Sequence, residues 1–591
     1  MPEAKKLNTI TVTTPHAAVK VWNYRDRIGP DGLTFGIDEV DQVIVSTVSL
    51  ISISVSKTKS SPTGSFELVL APTKNWIKTL TSGSWLVIMM SNEPINKEDF
   101  NVANADKVKF FGRIDTVRIK ATIDANGNPS SVYSVTGSDW AQIFNSVLYV
   151  DPVARDLNES AISVVNRFIY EDYIDTISKK VNLPSSTFNV RKLIQIWGKT
   201  NTTFTELNKA IGNTTVVVKP EISFSVPQAV SDFFDFRTEE KNQRSSKLTE
   251  LIHLKAGALT KYDTYDTEQR EAIGIIKPDS IFGSHTFWQV LMDNCNHALN
   301  EMVADMRWEN GKAKLALYKR IRPFIIRDKS SILKDNNGNK KKTEGNADDK
   351  IVGPLISKFE NVRRIEIPLG NVIAIDAGTN WRDKYNYIEI QIDQSLQEDV
   401  FKAQIKINNA IYDKRVFGRE GFKPLITQTK YIPELKGGSF NYLAIYNWKF
   451  ILKEWYFNTH SMLNGSMTFT GINDYIQVGD NIIVKSEILG IDQNLNLDSI
   501  NNKGNTYLLA HVESVSHSFT VNPETNARTY ISVVQFVRGI ITDSKGKQFT
   551  SNGGGAINKD AKAVRFDQED NSISTVSDKG NQDPGESSGI K

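Results

Sequence analysis

The sequence predicts a mainly β protein. Two antiparallel β domains, each a small barrel or sandwich, are separated by a helix-containing, mixed α+β insertion and followed by a flexible C-terminal tail. Three observations carry this reading. One β-pattern occurs twice, about 400 residues apart. Between the two copies the apolar period changes from two to three or four, the spacing of amphipathic helices. Beyond residue 540 the chain is dominated by Gly, Ser, Asn, Asp and Lys, too polar to order itself through a core.

The first copy reads Gly64-Ser65-Phe66-Glu67-Leu68, then Gly83-Ser84-Trp85-Leu86-Val87-Ile88, then Phe111-Gly112-Arg113-Ile114-Asp115-Thr116-Val117, and closes near Gly137. The second reads Gly465-Ser466-Met467-Thr468-Phe469, then Gly479-Asp480-Asn481-Ile482-Ile483-Val484, then Leu509-Ala510-His511-Val512-Glu513-Ser514-Val515, and closes at Gly539. The blocks keep their order and only the loops differ. Every position of the third block corresponds in kind: apolar, small, basic, β-branched apolar, acidic, hydroxyl, valine. A chain that carries one module twice offers two similar edges to a symmetric partner, which points to assembly rather than chemistry. Gly112 and Ala510 are expected to be small because a neighbouring segment passes close. Gly112→Leu is therefore expected to damage assembly more than stability.

Residues 1–150 read as the first barrel. Ser49 to Val55 alternates hydroxyl and apolar residues, as a half-buried strand does. Ser61-Pro62-Thr63-Gly64 and Asp124-Ala125-Asn126-Gly127-Asn128-Pro129 are turn signals between strands. Near the N-terminus only a short strand, Thr9 to Thr13, is expected. Residues 151–350 read as a mixed insertion. Ile162, Val165, Ile169, Tyr173 and Ile177 suit one face of a helix, and a second helix is expected from an N-cap at Ser284 through Trp288, Leu291, Cys295 and Leu299. Met302 to Trp308 and Ala313 to Leu317 alternate on either side of Asn310-Gly311, a strong hairpin signal. Residues 351–440 read as a connector, with strands at Val362 to Ile367 and Tyr387 to Ile392 and a helix at Glu398 to Tyr412. The second barrel fills 441–540, and 541–591 is the flexible tail.

At 591 residues the chain is too long for one core. Its 71 basic and 68 acidic residues leave a net charge of +3, which gives no support for a general nucleic-acid or anionic-membrane binder. The single cysteine, Cys295, excludes a disulfide framework. Met1 to Lys20 shows no signal-peptide pattern, and the longest apolar runs, such as Leu86 to Met90, are far too short to span a bilayer. The protein is expected to be made, and to stay soluble, in a reducing cytoplasm. No HExxH, Walker or Gly-x-Ser-x-Gly motif occurs. His511 and His517 stand six apart in one expected strand, so they should face one side about 20 Å apart and cannot share a metal. No enzyme activity, metal or cofactor is expected. A cell-wall hydrolase housed in 155–350 stays open as an alternative, as does a carbohydrate-binding β-protein. Against the latter, Trp85, Trp140, Trp288 and Trp308 all fall in patterns that read as buried.

One run, Thr506 to Phe519, is followed by the turn Asn522-Pro523-Glu524-Thr525 and a strand to Arg538-Gly539. It resembles the closing hairpin of phage baseplate hub proteins, the late-control gene D class. It is also similar to the hub part of type VI secretion spike proteins. Those families begin the preceding strand with an aliphatic-Gly-Asp turn, here Val478-Gly479-Asp480, and the first copy carries the variant Ser82-Gly83-Ser84. Phe111 to Val117, Thr136-Gly137-Ser138-Asp139-Trp140 and the exit Arg322-Pro323-Phe324 agree with the same family. The likeness covers about 40–150, 285–325 and 360–540.

The resemblance implies two tube-like barrels per chain and a homotrimer whose six barrels imitate one hexameric ring. Repeated edge strands would pair with neighbours into an inner β-ring, so an isolated chain would trimerise or aggregate. The implied partners are the tail tube protein and the central spike protein, with the tape measure and baseplate wedge proteins as further candidates. DNA would only pass through the channel, and no stable membrane insertion is implied. The implied place is the tail baseplate of a virion assembled in a bacterial cytoplasm, with a bacteriocin or type VI-like device as the alternative machine. The assembly signature comprises Gly83, Gly112, Ile114, Asp115, Gly137 and Asp139 in the first copy. In the second it comprises Gly479, Asp480, Ala510, Val512, Glu513, Val515, His517 and Gly539.

Overall fold

The computed structural model describes chiefly residues 14–28, 34–123, 129–146, 226–235, 300–309, 312–322, 362–392, 418–429, 459–472, 474–485, 507–522 and 524–542, with short pieces elsewhere. The first copy of the pattern forms β1 (His16–Ile28), β2 (Thr34–Val45), β3 (Leu50–Thr58), β4 (Ser65–Leu70), β5 (Trp85–Ser91), β6 (Val108–Ile123) and β7 (Pro129–Asp139). The expected hairpin is present: β8 (Asn300–Glu309) pairs antiparallel with β9 (Lys312–Ile321), from Asn300 opposite Ile321 to Glu309 opposite Lys312. The second copy forms β10 (Arg364–Glu366), β11 (Val372–Gly378), β12 (Leu463–Thr470), β13 (Asn481–Lys485), β14 (Tyr507–Val521) and β15 (Arg528–Thr542).

The fold is mainly β, as expected, and its two modules are joined edge to edge. They are arms of one 14-stranded sheet. The first arm runs β2-β1-β5-β6-β7-β4-β3, and the second runs β10-β13-β14-β15-β12-β11. They join where β3 pairs antiparallel with β14, from Ser52 opposite Thr520 to Thr58 opposite Ser514. The reason is strand length. β14 has 15 residues, and β13 covers only Tyr507 to His511 of that edge. The remainder is an open ladder that β3 satisfies. Lys59 N–H continues it to the Glu513 carbonyl at 2.8 Å.

Alternation builds the core. Ile53 and Val55 of β3 are buried while Ser54 and Ser56 are exposed. The first arm's core is completed by Phe519 and Tyr530 of the second. The second arm encloses Ile365, Met467, Phe469, Ile482 and Val512, with Val303 and Ala316 of the hairpin against them. β5 is buried on both faces, which accounts for the unbroken run Leu86 to Met90. Its second face packs on Phe233 and Phe234 of the helix Gln228–Phe234 and on Met302 and Met306 of β8. Trp85 stacks on Phe111 with ring centroids 5.0 Å apart. Trp85, Trp140 and Trp288 are buried, and Trp308 is partly so. Trp381, by contrast, is 56% exposed and faces Lys384 and Lys423.

Several expectations need correcting. β10 and β11 belong to 351–440 yet pair with β13 and β12, so the second sheet arm begins well before residue 441. Its strand β10 lies parallel to β13, whereas β1 is antiparallel to β5. The long strand β1 was not expected at all. Ile411–Asp413 is a strand beside Tyr387–Ile392, so no helix runs through Tyr412. Within the tail, Ala563–Phe566 pairs with Ile411–Asp413, and Ile573–Thr575 pairs with Ala563–Phe566. Thr286 Oγ1 accepts from Gln289 N–H at 3.2 Å. Ser284, Cys295, the helix expected at 162–177 and the strand at Thr9 to Thr13 lie outside the described residues. Among the described residues no helix is long and apolar enough to cross a membrane.

Candidate assembly interface

The two arms repeat at the level of single hydrogen bonds. Gly83 and Gly479 have φ of +86° and +87°, a conformation that glycine alone adopts without strain. Gly83 N–H donates to the Ile114 carbonyl at 2.7 Å, and Gly479 N–H to that of Val512 at 2.9 Å. The return bonds, Ile114 N–H to Ser84 and Val512 N–H to Asp480, are both 2.9 Å. The Ser84 and Asp480 backbones therefore make one turn in two versions. In the second version the Asp480 carboxylate also accepts from Gln477 N–H and from Arg363 Nε, each at 3.0 Å.

Two β-bulges recur as well. The β6–β7 ladder skips Asp115, and the β14–β15 ladder skips Glu513. The β3–β4 ladder skips Ile51, and the β11–β12 ladder skips Ile373. These landmarks align Glu67 with Ser466, each facing the matching residue of the neighbouring strand, Thr136 or Gln535. That is two residues away from the match read in the sequence, and it aligns Gly137 with Phe536 rather than Gly539. A two-residue slip keeps every side chain on its own face, so pattern alone does not detect it. At the aligned position the arms exchange partners: Phe66 lies opposite Gly137, and Gly465 lies opposite Phe536.

The bulge at Glu513 also shifts the alternation of β14 by one. Val512 and Val515 both enter the second core, and His511 and His517 do not share a side. His511 Nδ1 meets Asn481 Oδ1 at 2.9 Å, and His517 Nδ1 meets Ser532 Oγ at 2.8 Å. Burial holds His511 well below the ordinary imidazole range, with Lys59 and Arg538 pushing the same way. Burial and then Lys109 take His517 down to about 3. Both are neutral structural residues at neutral pH.

Ile114, Ala510 and Val512 are core residues, Asp115 is exposed and accepts from Ser138 Oγ at 3.3 Å, and Gly539 lies opposite Leu463. Two buried polar clusters flank the joint. In one, Lys59 beyond β3 reaches Glu301 of β8 at 2.9 Å and pairs with Glu513, which Arg538 Nη2 approaches at 3.7 Å. In the other, Lys57 pairs with Asp139, while Asp305 of β8 accepts from Tyr475 OH at 2.7 Å and Val478 N–H at 3.1 Å. Lys59, Glu301 and Tyr475 escaped the sequence reading, because nothing local marks partners hundreds of residues apart.

Burial raises Asp305 to about 6, against the charge of Lys57 and the Tyr475 hydrogen bond. The neutral acid therefore suits the fold. Its stabilising contribution is full below about pH 4 and is lost as the pH rises through about 6. In Asp305→Asn the stability gained from pH 7 to pH 5 should shrink by about 1 kcal/mol, read from urea unfolding at the two pH values.

The face opposite the core is lined with hydroxyls. One row crosses Thr468, Val533, Ser516, Ser56, Ser65 and Ser138 on six strands of both arms. The next crosses Ser518, Ser54, Glu67, Thr136 and Thr116. Ser56 and Ser65 hydroxyls lie 3.0 Å apart, and those of Thr116 and Thr136 lie 2.7 Å apart. The rows border an open concavity of about 530 Å³. Among the described residues no three His, Cys, Asp or Glu side chains group as a metal site would need.

No family model matches the chain, and no curated protein matches its sequence. Among solved structures it is similar to the 43 kDa tail protein of prophage MuSo2 from Shewanella oneidensis, at 10% identity and TM-score 0.38, over 90% of this chain and 100% of that one. A tail protein from Neisseria meningitidis MC58 gives 10% identity and TM-score 0.37, over 90% and 98%. A chain of the lidded Francisella PdpA-VgrG complex gives 9% identity and TM-score 0.33, over 89% of this chain and 53% of that one. Likenesses this distant assign neither partner nor activity.

Proposed function

We propose that the chain is the structural hub of a contractile-tail baseplate. Three copies form a ring of six like modules, which joins a hexameric tail tube on one face to a trimeric central spike on the other. The observation that carries this is the repetition of one module within a single continuous sheet, with the same strand order, bulges and turn hydrogen bonds in both arms. A subunit holding two like modules side by side converts threefold into approximate sixfold symmetry. The hydroxyl-lined face then forms the inner wall, where DNA would pass with few cations to hold it. Tape measure and wedge proteins are the remaining partners of such a hub, and its place is the virion tail.

The purified chain should be a trimer by light scattering, and particle images should show threefold symmetry with six modules around an opening. A stable monomer across micromolar concentrations would overturn the proposal.

A further inference from the structure

The joint between the arms has an unused counterpart. β3 and β11 are equivalent strands: each pairs on one edge with its β4 or β12 partner and carries its bulge at the same place. The second edge of β3 is taken by β14. Among the described residues the second edge of β11 carries no strand, and Ile373, Ala374 and Asp376 are exposed. β14 and β6 are likewise equivalent. β13 covers the first part of β14, and β3 takes the rest. β5 covers β6 only as far as Arg113, with two further bonds, from Gly83 N–H to Ile114 and from Ile114 N–H to Ser84, and no described strand takes the rest. Arg118, Lys120 and Ala121 are exposed there, and Ile119 is 49% exposed where its equivalent, His517, is 4%.

We infer that the free edge of β11 pairs, antiparallel, with the distal half of β6 in a second copy, in the register that β3 keeps on β14. The inference rests on the ring reading, because it takes another copy as the occupant of both edges. Transferring the register residue by residue, Ser54 opposite Ser518 becomes Asp376 opposite Lys120. Val55 opposite His517 becomes Ala377 opposite Ile119, and Ser56 opposite Ser516 becomes Gly378 opposite Arg118. Two serines at the internal joint are thus replaced by opposite charges at the external one. Cross-strand opposite charges favour a register, and like charges oppose it. Among the described residues Lys120 has only an exposed contact to Glu67, at 3.6 Å. The contact is heterologous: each copy gives one edge and receives on the other, the geometry that builds rings. It also removes two exposed strand edges, which a free subunit would otherwise present for indiscriminate pairing.

The test places cysteines at Asp376 and Lys120 in a Cys295→Ser background and treats the full chain with a short bis-maleimide. Covalent species should appear on a denaturing gel and stop at three chains. Ser54→Cys with Ser518→Cys is the control and should cross-link within one chain. A trimer by light scattering in which the control reacts but the Asp376 and Lys120 pair does not would overturn the edge pairing and leave the ring standing. A monomer by light scattering would overturn the ring and the edge pairing with it. A second arm needs no cysteine. Asp376→Lys should weaken trimer formation about tenfold, since the pair recurs at each contact, and adding Lys120→Glu should restore it. Failure of the double variant to restore assembly, with both variants folded, would also overturn the pairing.

Discussion

Gly112→Leu should prevent the first arm from folding, with loss of soluble protein rather than loss of assembly alone. A Cβ at Gly112 would fall on the Ser138 carbonyl oxygen and would lie 2.8 Å from Asp139 Cα and 2.7 Å from the Phe110 ring. The close neighbour is thus the adjacent strand of the same chain, which corrects the expectation that this glycine serves assembly. Overpacking a core costs about 1–3 kcal/mol when side chains can give way, and more when the obstacle is backbone. The second arm shows why its own copy tolerates alanine. Gly112 sits directly opposite Asp139 in an unbroken stretch of ladder. At Ala510 the β14–β15 ladder is interrupted by an extra residue of β15, between Ile540 and Val537, and Arg538 turns there with φ of +58°. The bulge makes room for the methyl group. Ala510→Gly should accordingly cost about 1–2 kcal/mol, from glycine's extra backbone freedom in a strand and the loss of one buried methyl group. Soluble yield, circular dichroism and urea unfolding of the two variants check the pair. A folded Gly112→Leu with an unchanged unfolding midpoint would show that the strands can part without penalty.

The contrast between these positions marks what was legible in the sequence. Strand alternation and the Gly83 and Gly479 turns have local causes, so the repeated module could be read from residue type alone. The Asn310-Gly311 hairpin was legible for the same reason. A bulge has no such signature: the residues skipped at Asp115 and Glu513 look like any acidic residue in a strand. That is why the faces of His511 and His517, and the alignment of Gly137, came out differently. β1 was missed because its buried stretch, Ala17 to Trp22, is covered on both sides and does not alternate in polarity. The joint between β3 and β14 was beyond reach for another reason. Its partners are separated by more than 400 residues, and what pairs them is the length by which β14 outruns β13.

Lys59 makes that joint the most vulnerable point of the sheet. Its side chain is nearly buried, at 8% exposure, and its ammonium lies between the side chains of Glu301, at 3%, and Glu513, at 31%. Burial lowers its pKa despite both carboxylates, so the cation is held at a cost that the two contacts only partly offset. Lys59→Met would take from buried Glu301 the cation that contacts it at 2.9 Å, while His511 Nε2 at 3.6 Å is neutral at pH 7 and Arg538 acts on it only through its charge. Breaking a buried pair from one side typically costs about 3–5 kcal/mol, and a loss of that size is expected in urea unfolding. Glu513 should suffer less, since it reaches solvent and keeps Arg538 nearby. The buried carboxylate that loses its salt bridge, rather than the missing lysine stem, is then the cause, and this separates the account from simple loss of packing. Replacing Glu301 together with Lys59 by methionine should recover most of the stability, because an apolar pair leaves no charge in the interior. If the double variant is as unstable as Lys59→Met, the lysine holds the joint through its packed stem, and the carboxylates matter little. Hydrogen exchange locates the effect: in Lys59→Met protection should fall first along β3 and the part of β14 that β3 covers, while β13 and its stretch of β14 stay protected.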